Sequence, residues 1–215
     1  MARISSKDVA SRAGVSIATV SHVINGTRFV SDETRSRVLD AIDALNYRPI
    51  AIARGLVTHS THKIGLVISD ITNPFFTAVA RGVEDVISSH RYNTIFCNTD
   101  EDPERETAYL DLLAAQQVDG VIITPTGIAN ETLAALAAVD IPIVQLDRRS
   151  PGIETPLVAV NNEEGAYQAI RYLVGLGHQR IAYLMGIGAV STQIERLNGY
   201  RRALNEAGLP LDEAL

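Results

Sequence analysis

The chain contains 215 residues, of which 46% are hydrophobic and 20% are charged, a composition typical of a globular protein rather than a disordered or collagen-like one. Cys97 is the only cysteine, which excludes an intrachain disulfide and a cysteine-based metal cluster. No apolar run approaches the roughly 18 residues of a membrane-spanning helix, and the N-terminus lacks the apolar stretch of a signal peptide. We therefore expect a cytoplasmic protein with no membrane partner.

Charge is distributed unevenly along the chain, although the net charge is only −6. Residues 1–63 contain nine Lys or Arg and five Asp or Glu, whereas residues 64–215 contain ten against twenty. A basic segment of +4 therefore precedes an acidic remainder of −10. Because positive charge attracts phosphates, the basic segment is where we expect a nucleic acid to bind.

The first 47 residues contain no strand-like run and predict three short helices. Gly14 separates the first two helices, Gly26 separates the second from the third, and Ser31 is the expected N-cap of the third. The first two helices fit a helix-turn-helix, in which apolar side chains of both helices are in contact. Those contacting residues are Val9, Ala10, Ala13, Val15, Val20 and Val23.

The second predicted helix follows Ser16, a favourable N-cap residue, and its outward face carries small or polar side chains. Such a face would fit a major groove about 12 Å wide. A three-helix module that binds another protein is an alternative interpretation of the same pattern. The outward-facing residues are Ile17, Ala18, Ser21, His22 and Asn25.

Beyond a polar linker at residues 57–63, short apolar runs alternate with amphipathic stretches. This alternation predicts an α/β domain with a parallel sheet and right-handed helical connections. Pro103 is expected to open one of the helices, and Gly177 to follow another in the left-handed conformation. The predicted strands are 64–69, 93–98, 119–124, 142–146, 156–160 and 180–185.

Several segments resemble the LacI/GalR family of bacterial transcription regulators. They are DVASRAGVSIATVSHVING, VSDETRSRVLDAIDALNYRP and ARGL in the basic segment, and IGLVISDITNPFF, VDGVIITP and LVGLGHQRIAYLMG beyond it. The DNA-reading helix is most similar to the purine-repressor branch. The resemblance covers nearly the whole chain and implies a homodimeric regulator, more often a repressor, without a cofactor. It implies binding to a palindromic double-stranded DNA operator and a response to a sugar or purine-like effector.

The resemblance also implies which residues contact DNA. Apolar Ile17 and Ala18 can touch a thymine methyl group, and His22 can donate a hydrogen bond to a guanine edge. Residues 50–56 resemble a hinge helix that folds on DNA and pushes a leucine into the minor groove, although a plain linker with a buried leucine is an alternative. The implied DNA contacts are Ser16, Ile17, Ala18, Thr19, Ser21, His22, Asn25, Ala53 and Leu56.

A small-molecule site is implied between two α/β lobes, at the carboxyl ends of parallel strands. Phe75 and Phe76 could stack on a sugar or base, or could simply belong to the core, and Asp70 could merely cap the segment after it. Asp147 and Arg196 could bind hydroxyl groups or a charge. The implied effector contacts are Asp70, Asn73, Phe75, Phe76, Thr124, Asp147 and Arg196.

The resemblance divides the chain into a helix-turn-helix domain (1–48), a hinge and linker (49–63), a first sensor lobe (64–162) and the start of a second lobe (163–215). Members of the family usually run considerably further. We therefore expect the second lobe to be incomplete and the ligand response of this chain to be impaired.

Enzyme functions are disfavoured by the motifs present. The segment 186–191, GIGAVS, resembles a dinucleotide-binding loop but lacks its last glycine. Cys97 lies in an apolar strand and His178 has no metal-ligating neighbour in the sequence, so neither indicates a catalytic centre or a metal site. A solute-binding protein of a transporter is a further alternative, which the basic segment and the missing export signal oppose.

Overall fold

The computed structural model describes residues 4–47, 60–127, 131–139, 141–186 and 190–211. The chain divides into two compact units, Met1–Thr61 and His62–Leu215. The predicted hinge contacts, Ala53 and Leu56, lie outside the described residues.

The N-terminal unit consists of α1 (Ser6–Ala13), α2 (Ile17–Asn25) and α3 (Asp32–Ala44). Gly14 and Gly26 end the first two helices in the left-handed conformation, with φ of +66° and +65°, which confirms the predicted turns. Ser16 and Ser31 are the N-caps of α2 and α3, and each accepts a hydrogen bond from a backbone N–H three residues later. The buried core of this unit contains Val9, Ala10, Ala13, Val20, Val23, Val38 and Ala41.

The second unit contains a five-stranded, fully parallel sheet in the order β2-β1-β3-β4-β5. Its helices include α4 (Pro74–Ser89), α5 (Pro103–Ala115) and α6 (Glu131–Ala138), and Pro103 opens α5 as predicted. Apolar side chains are buried on both faces of the sheet, because helices connect its parallel strands. The strands are β1 (Lys63–Ile68), β2 (Asn93–Asn98), β3 (Gly120–Ile123), β4 (Ile143–Leu146) and β5 (Leu157–Val158).

The strand order has one topological switch point. After β1 the chain adds β2 on one side and then crosses to add β3 on the other side of β1. The connections leaving β1 and β3 therefore diverge and open a crevice at the carboxyl edge of the sheet. This edge carries the residues that immediately follow β1, β3 and β4.

Two further helices, α7 (Asn162–Gly175) and α8 (Ser191–Glu206), pack against each other after the sheet. They approach closely at Gly199, where an added Cβ would lie 2.1 Å from the carbonyl oxygen of Glu163. Gly177 follows α7 with φ of +90°, as predicted. The core between the helices contains Ile170, Ile181, Tyr200, Ala203 and Leu204.

The prediction of a strand at residues 180–185 is wrong. The segment alternates in burial, with Ile181 buried and Leu184 96% exposed, but within the described residues no strand pairs with it. Ile181 packs between the helices instead, and its carbonyl oxygen accepts a hydrogen bond from Tyr200 Oη at 2.9 Å. An alternating apolar pattern predicts a strand only where a neighbouring strand satisfies its backbone.

None of the helices in the described ranges is both long and apolar enough to cross a membrane.

Candidate functional site

The exposed face of α2 is the candidate nucleic-acid interface. Ile17 is 50% exposed, and Ser16, Ala18 and Ser21 are also exposed, while Val20 and Val23 on the opposite face are buried. A single exposed apolar side chain is ordinary on a protein surface, and Ile17 shares this exposed face with the small side chains of Ala18 and Ser21. The face therefore has the small side chains that an approach to base edges requires.

Hydrogen bonds organise the polar side chains of this face. Ser16 Oγ lies 2.9 Å from Thr19 Oγ1 and accepts from the Thr19 N–H at 3.1 Å. Asn25 Nδ2 donates to Ser21 Oγ at 3.1 Å, one helical turn away. His22 is partly buried, and its Nδ1 lies 2.8 Å from Thr27 Oγ1 in the loop after α2. Thr27 was not predicted from the sequence, because its contact with His22 depends on the chain reversal at Gly26.

In the second unit, the first of the predicted effector residues lie in the loop that follows β1, at the switch point of the sheet. Asp70 follows β1, and its Oδ1 accepts hydrogen bonds from both N and Oγ1 of Thr72 at 2.7 Å. These bonds stabilise the carboxylate and lower the pKa of Asp70. Asn73 caps α4 by accepting from the Phe75 N–H at 3.0 Å. Both side chains therefore shape the loop at the crevice, whatever else they bind.

The two aromatic residues at the start of α4 differ in environment. Phe75 is 44% exposed, whereas Phe76 is only 3% exposed and packs with Leu66 and Ile68. Their rings meet edge to face, with centroids 5.1 Å apart. Of the two, Phe75 offers more surface to a ligand, and Phe76 supports it from the core.

Three buried hydroxyl groups lie along this edge. Within the described residues, Ser69 Oγ, Thr124 Oγ1 and Thr126 Oγ1 have no hydrogen-bond partner. The register pairs Val67 with Ile123, so Ser69 and Thr124 follow neighbouring strands on either side of the switch point. A buried polar atom without a partner costs free energy, and such atoms are expected where a ligand supplies the missing hydrogen bonds. Thr124 was predicted as an effector contact from the sequence, whereas Ser69 and Thr126 were not.

Charged groups follow β4. Arg148 forms a two-pronged salt bridge with Glu101, with N–O distances of 2.6 and 2.8 Å, and its guanidinium lies 5.9 Å from the Phe76 ring centroid. Asp147 is largely buried, and burial raises its pKa although the positive charges of Arg148 and Arg196 oppose the shift. The start of α8 lies in the same region, because the Arg149 N–H donates to Ser191 Oγ at 3.0 Å. Arg196 Nε also donates to Asn162 Oδ1 at 2.8 Å.

Both parts of the chain are similar to known proteins. Residues 6–49 match the family model described as bacterial regulatory proteins, lacI family, and residues 61–215 match periplasmic binding proteins and sugar binding domain of LacI family. The transcriptional regulator DegA of Bacillus subtilis is 38% identical over 97% of this chain and 63% of its own length. The transcriptional repressor PurR of Vibrio atlanticus is 42% identical over 96% of this chain and 62% of its own.

Among solved structures, the lac repressor dimer bound to operator and an anti-inducer is 27% identical, with a TM-score of 0.78. That alignment covers 97% of this chain and 64% of the repressor chain. The chain therefore belongs to the LacI family of bacterial regulatory proteins. It spans 62–63% of the length of the DegA and PurR relatives.

Proposed function

We propose that this chain is a transcription regulator that binds DNA sequence-specifically and acts as a repressor. Its affinity for a palindromic operator is proposed to change when a small-molecule effector binds. The observation that carries the proposal is the exposed face of α2, which combines apolar and polar side chains. This face belongs to a helix-turn-helix in the basic segment, residues 1–63, whose net charge is +4. Regulators of bacterial genes act where the DNA is, so we place its activity in the cytoplasm. The regulators and repressors among its relatives support this function over an enzyme or a transporter component.

The proposed base contacts are Ile17, Ala18 and His22. We propose that Ser16, Thr19, Ser21 and Asn25 contact phosphates or bases. Operator symmetry requires two recognition helices, so we propose that two copies of the chain bind one site. We propose that Ala53 and Leu56 of the hinge add contacts in the minor groove. We also propose that the domains end at residues 48, 63 and 162.

The DNA function is tested by selecting bound duplexes from a random pool with the purified full chain. We expect a symmetric consensus, and the His22→Ala variant should lose about tenfold of its preference at one base pair of each half-site, because a good base contact contributes about 1–3 kcal/mol. His178→Ala, the same change at an exposed position of the other unit, is the control. Equal, weak binding of every duplex would contradict the proposal.

The effector site is proposed at the carboxyl edge of the sheet, with Asp70, Asn73, Phe75, Phe76, Thr124, Asp147 and Arg196 as its residues. The hydroxyl groups of Ser69, Thr124 and Thr126 and the carboxylate of Asp147 favour a polyhydroxylated ligand of the sugar class over a purine. Calorimetric titration of the full chain with simple sugars and purine bases tests this choice. Binding of a purine alone would contradict it, as would binding unaffected by Asp147→Asn.

A further inference from the structure

The loop after α2 folds back against the helix that precedes it. Gly26, with φ of +65°, ends α2, and its N–H donates to the carbonyl oxygen of His22 at 2.9 Å. This reversal places Thr27 Oγ1 2.8 Å from His22 Nδ1. Within residues 4–47 no carboxylate or cationic side chain pairs with the imidazole, and Arg28 is the nearest charged residue along the chain.

The contact matters because a neutral imidazole carries one donor and one acceptor. If the ring can flip or exchange its proton between nitrogens, it offers a base edge either a donor or an acceptor. A hydrogen bond at Nδ1 fixes the ring orientation and leaves Nε2 as the nitrogen available to a partner. The hydroxyl of Thr27 can donate to Nδ1 of the neutral ring when the ring proton is on Nε2, and it can accept from Nδ1–H when the proton is on Nδ1 or when the ring is an imidazolium.

We propose that Thr27 is a positioning residue that makes Nε2 of His22 a constant hydrogen-bond donor toward the DNA base. The inference rests on the proposed DNA-binding function and deepens it. With Thr27 donating to Nδ1, the neutral ring keeps its proton on Nε2, and the imidazolium keeps it there as well. A fixed donor selects a base with a major-groove acceptor, of which guanine offers two at N7 and O6.

The test compares Thr27→Val with the conservative Thr27→Ser in the full chain. Selectivity is the ratio of affinities for duplexes that differ only at the base pair identified by His22→Ala. We expect Thr27→Val to lose about fivefold in selectivity, the equivalent of one hydrogen bond, and Thr27→Ser to retain it.

The outcomes separate this inference from the function on which it rests. A wild type without any base preference refutes the DNA-reading function itself. A wild type that selects, together with a Thr27→Val variant that selects equally well, refutes only the role of Thr27. Preference for a base that donates at this position, such as cytosine, refutes the donor assignment.

Folding is checked independently by thermal unfolding of each variant. If Thr27→Val unfolds, nitrogen-15 NMR of the wild-type His22 ring decides the question, with His22→Gln used to assign its signals. A neutral ring protonated at Nε2 supports the inference, and one protonated at Nδ1 overturns it.

Discussion

Asp147 combines a left-handed backbone, with φ of +62°, and a carboxylate that burial makes harder to ionise. The attraction of Arg148 and Arg196 offsets only part of this cost, because the pKa of Asp147 remains above its ordinary value. The folded state therefore binds this proton more tightly than the unfolded state does. The contribution of Asp147 to the free energy of unfolding consequently falls as pH rises through the range between the unfolded and folded pKa values.

We therefore predict that Asp147→Asn increases the free energy of unfolding at pH 7 and removes this part of the pH dependence. Asparagine tolerates the left-handed conformation, whereas alanine does not, so Asp147→Ala should be less stable than Asp147→Asn. Urea denaturation at neutral and acidic pH measures both effects. An Asp147→Asn chain that is less stable than the wild type at pH 7 would show that the attraction to the arginines outweighs burial.

Thr124 and Thr99 form a matched pair of fully buried threonines at this edge of the sheet. Thr99 Oγ1 donates to the carbonyl oxygen of Ile68 at 3.3 Å, whereas Thr124 Oγ1 has no partner among the described residues. We predict that Thr99→Val costs about 0.5–1.5 kcal/mol of stability and that Thr124→Val costs little or is stabilising. Denaturation by urea gives the comparison.

The same pair separates stability from binding. Thr124→Val should weaken binding of the proposed effector by about tenfold, since a buried hydrogen bond to the ligand is lost. Thr99→Val should leave the affinity within about twofold, since its hydroxyl already has a partner. Equal losses of affinity in the two variants would contradict a ligand-facing hydroxyl at Thr124.

At the scale of elements, the packing of α7 against α8 depends on one missing side chain. A Cβ at Gly199 would lie 2.1 Å from the carbonyl oxygen of Glu163 and 2.9 Å from the backbone nitrogen of Tyr167, which forces the helices apart. We predict that Gly199→Ala lowers stability by about 1–3 kcal/mol, as overpacking usually does. Thermal unfolding measures the loss.

Gly165 is the control for this prediction. It also lies within a helix, α7, but an added Cβ there meets no atom within 4 Å. Gly165→Ala should therefore stabilise the chain by about 0.5–1 kcal/mol through helix propensity alone. If both changes moved the melting temperature in the same direction, the close approach of the helices would not be the cause.

Local patterns predicted most elements because local chemistry determines them. Caps such as Ser16 and Ser31 and the proline that opens α5 act on their own helix turns. The burial of Val20 beside the exposure of Ile17 follows directly from helical periodicity. The strand predicted at residues 180–185 is absent because strand formation requires pairing with another strand elsewhere in the chain. The periodicity of the segment itself carries no information about such a partner.

The candidate sites were predicted only where a residue directly follows a strand or lies on a helix face. Thr124 and Asp147 met that condition, and the parallel sheet brings their strand ends to one edge. Glu101 was missed because its salt bridge with Arg148 joins residues 47 positions apart. Such contacts depend on the fold, and an isolated acidic or basic residue in a sequence gives no signal of its partner.

The two units of the molecule, residues 1–61 and 62–215, carry opposite net charges of +3 and −9. A polyanion is attracted to the first unit and repelled by the second, so the charge distribution favours DNA contact through the helix-turn-helix. Each phosphate neutralised by a cationic side chain releases counterions, which gives the binding constant a linear dependence on salt in a logarithmic plot, with a slope of about −0.9 per contact.

We therefore predict that Arg12→Ala, at the exposed C-terminal end of α1, weakens binding to all duplexes alike and reduces the magnitude of the salt slope by about one. Base preference should be unchanged, in contrast to His22→Ala. Arg81→Ala is the control, because Arg81 is an exposed arginine of the acidic unit that pairs with Asp85 at 3.0 Å. Fluorescence anisotropy across a salt series measures the slopes, and an equal change for both arginines would mean that DNA does not distinguish the two units.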